Sequence, residues 1–354
     1  MKVGIFGTGL IAETHVNAIR ACGAEIELVA GHTVEGAGRF AATHGLTAAK
    51  CIAAPAAGAA DLAALDAAFI CTPPESHLQY FRACIQSGVP VFCEKPLAEN
   101  GGSASEMLEL AEASGLICAV GFNNRFSPSV NQLKAEVSKM DRVVFIHGHY
   151  FQEFHCLPAP YSWRYKSELR ALSEIGSHLI DLVRYVTGAE VTSIKSSVKN
   201  ITPVRHLRGG LMYDAGSWAD SAGSTEGLSG NDNQTVSVSS EDISAMILEL
   251  DNGAMCSLCI SEVAAGRSND IALEVFSPDK SAAWHYEQPF DILTSEAGKG
   301  TTRHVNAFAG DTYTEQARAF LTSVETGKRD PRLATLRDGL LNVHLINAIA
   351  EAAK

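Results

Sequence analysis

An apolar run, Val89-Pro-Val-Phe-Cys93, leads straight into Glu94 and Lys95, and Lys95 stands directly before Pro96. The run is short, partly β-branched and entered from a Gly/Pro-type turn, which reads as a buried parallel strand. Open α/β sheets bind ligands at the carboxyl ends of their strands. A residue that precedes proline is kept out of the helical conformation. Lys95 is therefore a cation on a long stem whose backbone is stiffly placed at such an edge. Farther along, Glu174 and His178 are four residues apart, the spacing that sets two side chains on one side of a helical turn. A carboxylate there can orient an imidazole, the side chain that exchanges protons near neutral pH. A cation and a base are what an alcohol oxygen needs if it is to lose its proton while charge develops on it.

Position along a ligand edge requires a sheet, and the N-terminal third supplies one. Residues 2–6 read as a strand, followed by Gly7-Thr8-Gly9-Leu10-Ile11-Ala12 and a helical pattern through Arg20. Glu25–Ala30 reads as the next strand. A GxGxxA run between a strand and a helix inside such a unit is a dinucleotide-binding signal. Gly7 permits the tight turn, Gly9 lets a pyrophosphate approach the backbone, and Ala12 allows close packing of helix on strand. The alternation continues with a helix around Arg39–Thr43, a strand over 66–71, a helix from Glu75 to Ser87, the 89–93 strand, a helix from Ser103 to Ser114 and a strand over 116–120. Residues 53–60 read as a loose loop. The sum predicts a doubly wound parallel sheet over residues 1–121.

From residue 122 to 354 the rhythm changes. A helix over 128–139, a long strand over 142–150, a helix near 173–187 and strands near 191–201, 234–240, 243–250, 254–262 and 270–277 predict an α+β domain with an open, mostly antiparallel sheet. Asp251-Asn252-Gly253 between alternating apolar runs is a hairpin signal. Gly209–Asn233 is polar and glycine-rich and reads as a loop. Residues 312–326 and 333–352 read as amphipathic helices, the last able to pack back on the N-terminal domain.

The chain has 354 residues and a formal net charge of −12, which argues against nucleic acid as a partner. No apolar run approaches the roughly 20 residues of a membrane span, and the N-terminus lacks the pattern of a signal peptide. The nine cysteines sit in apolar contexts without framework spacing, so a cytoplasmic protein with reduced thiols is expected. Cys256 and Cys259 are read as structural. His147, His149 and His155 lack an evident further ligand, so no metal is expected.

Taken together the motifs resemble the glucose–fructose oxidoreductase/inositol dehydrogenase/MocA family. The matching stretches are Gly7–Ala12, Cys71-Thr-Pro-Pro-Glu-Ser-His77, Glu94-Lys-Pro-Leu97, Gly121-Phe-Asn-Asn-Arg-Phe126, Trp163-Arg164 and Glu174-Ile-Gly-Ser-His178-Leu-Ile-Asp181. The resemblance implies an NAD(P)-dependent oxidoreductase acting on a sugar-, cyclitol- or polyol-like alcohol or ketone, assembled as a dimer or tetramer. It implies Lys95 as a catalytic residue, joined by His178 as base and by Glu174. It places the cofactor against Gly7, Thr8, Gly9, Leu10, Ile11, His32, Thr33, Thr72, Pro73, Pro74, His77, Glu94, Lys95, Asn123, Trp163 and Arg164. Two departures stand out: Glu174 where the family usually has Asp, and Leu169-Arg-Ala-Leu172 where it usually has a Gly-rich run.

Cofactor choice turns on the end of the second strand, where NAD-type sites place an acid on the ribose hydroxyl. This chain reads Val29-Ala-Gly-His-Thr33. Glu27 falls inside the strand and Glu35 beyond it, while His32, Thr33 and Arg39 are at hand, so NADP is favoured over NAD. Two rival readings share the fold: a glycoside-cleaving enzyme that uses bound NAD with no net oxidation, and a non-catalytic nucleotide sensor. A sensor would tolerate the loss of Lys95 and His178.

Overall fold

The computed structural model describes residues 1–54, 58–156, 163–167, 169–206, 235–306 and 310–354. The chain divides into two compact units, Met1–Phe126 with Gly310–His344, and Ser127–Ala309 with Leu345–Lys354. The chain thus re-enters the first unit after residue 310. The expected Gly209–Asn233 loop lies outside the described residues.

The first unit begins β1 (Lys2–Phe6), α1 (Leu10–Ala21), β2 (Glu25–Gly31), α2 (Val34–Thr43), β3 (Lys50–Ala53), α3 (Ala59–Leu62) and β4 (Ala67–Ile70). It continues with α4 (His77–Gln86), β5 (Val91–Cys93), α5 (Gly101–Ser114) and β6 (Cys118–Val120). The six strands lie in the order β3-β2-β1-β4-β5-β6 and every pairing is parallel. β3 escapes sequence reading because it is four residues long and runs into the Ala/Pro stretch expected to be loop. Successive side chains of a strand face opposite ways, so Phe69 joins the cluster with Val16, Ile19 and Phe40, while Ala68 and Ile70 join the one with Phe81 and Met107. Helices therefore cover both faces, which is why the inner strands β4, β5 and β6 are apolar throughout.

The order reverses between β1 and β4, the place where such sheets open a crevice. Gly7 leaves β1 at φ +112°, and a Cβ on it would lie 2.5 Å from the Cys71 carbonyl oxygen just past β4. Only glycine fits.

The second unit carries α6 (Pro128–Val137), β7 (Phe145–Phe151), α7 (Ser177–Thr187), β8 (Val191–Lys199), β9 (Val204–His206), β10 (Thr235–Ser237), β11 (Ile243–Leu250), β12 (Met255–Ser261) and β13 (Asp270–Phe276). β14 (Lys280–His285), β15 (Asp291–Glu296) and β16 (Gly300–Val305) follow. Eight strands form one sheet, β16-β15-β14-β13-β7-β12-β11-β8, antiparallel except where β12 meets β7. β9 and β10 make a separate ribbon. The hairpin expected at Asp251-Asn252-Gly253 joins β11 to β12, with Gly253 at φ +81°.

Three strands after residue 280 were not legible, because β16 is exposed over most of its length and lacks an apolar alternation. Along β11, Met246, Leu248 and Leu250 are buried and Ile247 is exposed. One face thus packs on helices, and Trp284 of β14 donates to Ser129 of α6 at 2.8 Å. Cys256 and Cys259 are three apart on one strand and so point to opposite faces; neither is in a disulfide.

The chain closes with α8 (Thr312–Thr326) and α9 (Leu336–Glu351). Ala317 and Phe320 of α8 enter the core of the first unit beside α1, as do Leu336 and Val343 of α9 on the opposite face.

Gly7→Ala should destabilise the first unit by about 2 kcal/mol or more, from the strained φ and the clash with the Cys71 carbonyl. Denaturant unfolding checks this, and an unchanged midpoint would contradict the packing described.

Candidate functional site

In the first unit the expected residues gather along the carboxyl edge of the parallel sheet. Gly7 and Gly9 follow β1, His32 and Thr33 follow β2, Thr72–Pro74 follow β4, and Glu94-Lys95 follow β5. Gly9 caps α1 with extended backbone and without a side-chain bond. A Cβ built on it meets nothing within 4 Å. The start of α1 therefore has open space beside Gly9, which suits a phosphate at the positive end of a helix. Thr8 and Ile11 are half-buried and Leu10 is exposed. These features fit a dinucleotide.

At the tip of β2, His32 and Thr33 are exposed. Thr33 caps α2 by accepting from the Gly36 N–H at 3.0 Å. Glu27 lies within β2 and meets Lys2 at 3.5 Å. No carboxylate stands between Gly31 and Val34.

Past β4, Ser76 Oγ lies 2.8 Å from both the Thr72 hydroxyl and the Pro73 carbonyl, which fixes the Thr72-Pro73-Pro74 turn. His77 differs from expectation. It is wholly buried, with Nε2 2.7 Å from the Thr72 carbonyl and Nδ1 3.1 Å from the Leu97 carbonyl. Its ring pins the turn after β4 to the segment after β5, and its side chain has no surface left for a cofactor. Burial pushes its pKa down and keeps the ring neutral. A neutral ring carries one N–H, so one of the two carbonyl contacts is a donated bond.

Glu94 is buried and turned inward. Its Oε1 lies 2.7 Å from His15 Nε2 of α1, and its Oε2 accepts the Lys95 backbone N–H at 3.1 Å. A Cβ on Gly121 would lie 2.7 Å from the Glu94 carboxylate, so glycine there leaves room for it. Lys95 is half-buried, and the Lys95–Pro96 peptide is cis. Asn123 is buried and donates to the Thr312 hydroxyl at the start of α8, at 2.9 Å. It works on the fold at this point, through its side-chain amide.

The second unit holds the other candidates. Leu172–Gly176 forms a π-helical turn that runs into α7, a feature that recurs at functional sites. Glu174 lies in that turn and His178 in the first turn of α7. His178 is half-buried, with its ring 6.3 Å from that of Tyr150. Arg164 meets Glu174 Oε1 at 3.1 Å. The Trp163 side chain lies outside the described residues.

Around Glu174 is a buried ionic network that sequence reading missed. His155 Nε2 lies 3.9 Å from Glu174 Oε2 and 3.9 Å from Glu262 Oε2, and its Nδ1 lies 2.6 Å from the Tyr165 hydroxyl. Arg170 is buried and pairs with Glu262 and Asp242. Glu241 accepts the Arg170 and Leu172 N–H groups at 2.8 and 2.7 Å, capping the helix start. The Arg170 and Arg205 guanidinium groups each lie 4.8 Å from the centre of the Tyr165 ring. The Arg170 that replaces the family's glycines is thus the hub of this network.

The charges divide unequally. Burial opposes the ionisation of Glu174, yet Arg164, His155 and Arg170 together hold it well below the usual carboxylate range. Burial, and then the charge on Glu174, push Glu262 well above that range, so Glu262 keeps its proton near neutrality. Burial also lifts Glu241 to about 7 and Tyr165 to about 12. It lowers His155, whose ring is therefore neutral. His155, Glu174 and Glu262 bring one ligand atom each within 4.8 Å of one another. Arg164 and Arg170 already meet the two carboxylates. The signal that could have pointed to this network is two acids, Glu241-Asp242, at the mouth of an apolar strand and one, Glu262, at the end of its hairpin partner.

Comparison with known proteins places the chain. Residues 1–122 match the oxidoreductase family with an NAD-binding Rossmann fold, and residues 136–282 match the GFO/IDH/MocA C-terminal domain. Levoglucosan dehydrogenase of Pseudarthrobacter phenanthrenivorans is 28% identical over 240 residues, 66% of this chain and 59% of that protein. The chain thus spans less than two thirds of that relative. Inositol 2-dehydrogenase 2 of Saccharopolyspora erythraea is 24% identical over 99% of this chain and 91% of its own length. Among solved structures, levoglucosan dehydrogenase in complex with NADH and L-sorbose superposes with a TM-score of 0.85 at 22% identity, covering 100% of this chain and 96% of that one. That likeness concerns the fold. With both of its domains matched, this chain belongs to the GFO/IDH/MocA family of oxidoreductases with an NAD-binding Rossmann fold.

Proposed function

We propose that the protein is an NADP(H)-preferring dehydrogenase that interconverts an alcohol and a ketone on a sugar- or cyclitol-like substrate. One observation carries the reading: the open helix start at Gly9 and the lysine after β5 lie along the same carboxyl edge of one sheet. The names of the relatives, a levoglucosan dehydrogenase and an inositol 2-dehydrogenase, support the substrate class.

In this reading Gly7, Thr8, Gly9, Leu10 and Ile11 hold the pyrophosphate, Thr72, Pro73 and Pro74 line the next stretch, and His32 with Thr33 meets the adenosine ribose. The nicotinamide, when bound, supplies or accepts the hydride. Lys95 places its ammonium on the substrate oxygen and stabilises the charge that grows there. His178 takes the hydroxyl proton. Glu174, kept ionised by Arg164, binds a neighbouring hydroxyl or orients the imidazole. Its side chain is one methylene longer than the family's aspartate, which shifts the substrate it fits. The choice of NADP rests on the missing carboxylate between Gly31 and Val34, where His32 and Thr33 stand exposed instead. A turnover screen of polyols and keto-sugars with both cofactors tests the whole reading; no hydride transfer with any of them would overturn it.

Three outcomes follow. Gly9→Val should weaken cofactor binding at least tenfold while leaving the unfolding midpoint near that of the parent, because the added side chain meets only ligand space; calorimetry decides. Thr33→Asp should keep α2 capped, since Asp and Thr both serve at that position, yet shift the ratio of affinities toward NAD. A parent that already binds NAD tenfold more tightly would contradict the NADP assignment. Lys95→Ala should lower kcat by roughly 100-fold or more with little change in cofactor affinity, and His178→Ala should remove the ionisation near neutrality from the kcat/KM profile. Parent-like kcat in the lysine variant would refute its role.

A further inference from the structure

We infer that His15 is a positioning residue that works through Glu94: it orients the carboxylate that holds the Lys95 backbone, and so couples the phosphate-facing helix to the catalytic lysine. This rests on the role of Lys95 proposed above. His15 lies on α1, six residues past Gly9, and is fully buried. Its Nε2–H donates to Glu94 Oε1 at 2.7 Å, and the other oxygen of that carboxylate accepts the Lys95 N–H at 3.1 Å. A single carboxylate thus joins helix α1 to the residue after β5. The vacant Cβ position of Gly121 leaves the space in which it sits.

The surroundings speak against a plain core histidine. The ring packs among Phe69, Phe92 and Tyr313, with centroids 5.4, 5.1 and 5.8 Å away. An apolar side chain would suit that box better, because a buried imidazole–carboxylate pair has to be stripped of water. Among the described residues His15 Nδ1 has no hydrogen-bond partner, so the polar interaction of the ring seen there goes to Glu94. The feature gained by keeping the pair is a carboxylate aimed at the Lys95 N–H. A backbone fixed there limits where the ammonium can go, and a displacement of about 1 Å in a reacting group can cost as much as 100-fold in rate.

A double-mutant cycle between His15 and Lys95 tests this. His15→Leu should lower kcat per cofactor-bound site by roughly tenfold, with substrate KM and the cofactor Kd measured by calorimetry within about twofold of the parent. His15→Gln, which keeps an N–H at similar reach, should recover most of the rate. In the Lys95→Ala background, His15→Leu should cause no further loss, because the residue acts only through the lysine. Should His15→Leu not fold, Glu94→Gln carries the same cycle. Equal losses in both backgrounds, or a folded His15→Leu with parent-like kcat, would overturn the positioning role and leave the lysine assignment standing. Lys95→Ala with parent-like kcat would overturn both.

Discussion

The first unit depends on one buried carboxylate. Glu94 is held by His15 on one oxygen and holds Lys95 on the other. Taking either partner away from a buried ionic or strongly polar pair costs about 3–5 kcal/mol, because the group left behind is neither solvated nor paired. That penalty fixes more than two side chains. It ties α1, which begins at the glycine turn, to the strand end that presents the lysine. It requires glycine at position 121, where any side chain would strike the carboxylate. His77 adds a second clamp between the ends of β4 and β5. The edge of the sheet is therefore stiff where the chemistry is proposed and has open space beside Gly9.

The second unit solves a similar problem with charge instead of close packing. Three arginines, Arg164, Arg170 and Arg205, pair with three carboxyl groups, Glu174, Asp242 and Glu262, and a fourth, Glu241, accepts the backbone N–H groups of Arg170 and Leu172. The four are not equivalent. Arg164 keeps Glu174 ionised at the partly exposed side, while Glu262, deepest in the network, holds a proton. The π turn sets Glu174 outward, and the Glu241 cap holds the start of that turn. A partly exposed anion backed by a buried, hydrogen-bonded network is held rigidly. The same network explains how the unit tolerates Leu169-Arg-Ala-Leu172 in place of glycines.

Much of this was legible in the sequence, and the reason is distance along the chain. Gly7, Gly9, Lys95 and Pro96 announce themselves because the constraint on each is local: a turn, a helix start, a residue before proline. The parallel sheet followed from apolar runs separated by helical periods. What escaped reading was long-range. His15 and Glu94 are 79 residues apart, and Arg170 meets Glu262 and Asp242 across 92 and 72. A histidine on an apolar helix face and an arginine in a leucine-rich turn carry no sign of their partners. His77 looked like a cofactor contact because it ends a motif, yet its two ring nitrogens are both spent on carbonyls. The last strands, to 305, were missed for a different reason: sheet pairing more than apolar alternation makes β15 and β16 strands, although β14 buries Ala282 and Trp284.

The most direct test is a crystal structure of the protein with cofactor and a polyol that it turns over. The account predicts the Lys95 ammonium within about 3 Å of the reacting oxygen, the distance of a charge-assisted hydrogen bond, with the His15–Glu94–Lys95 contacts intact. A reacting oxygen held by other groups, with the ammonium about 10 Å or more away, lies beyond direct hydrogen-bonding reach and would contradict it.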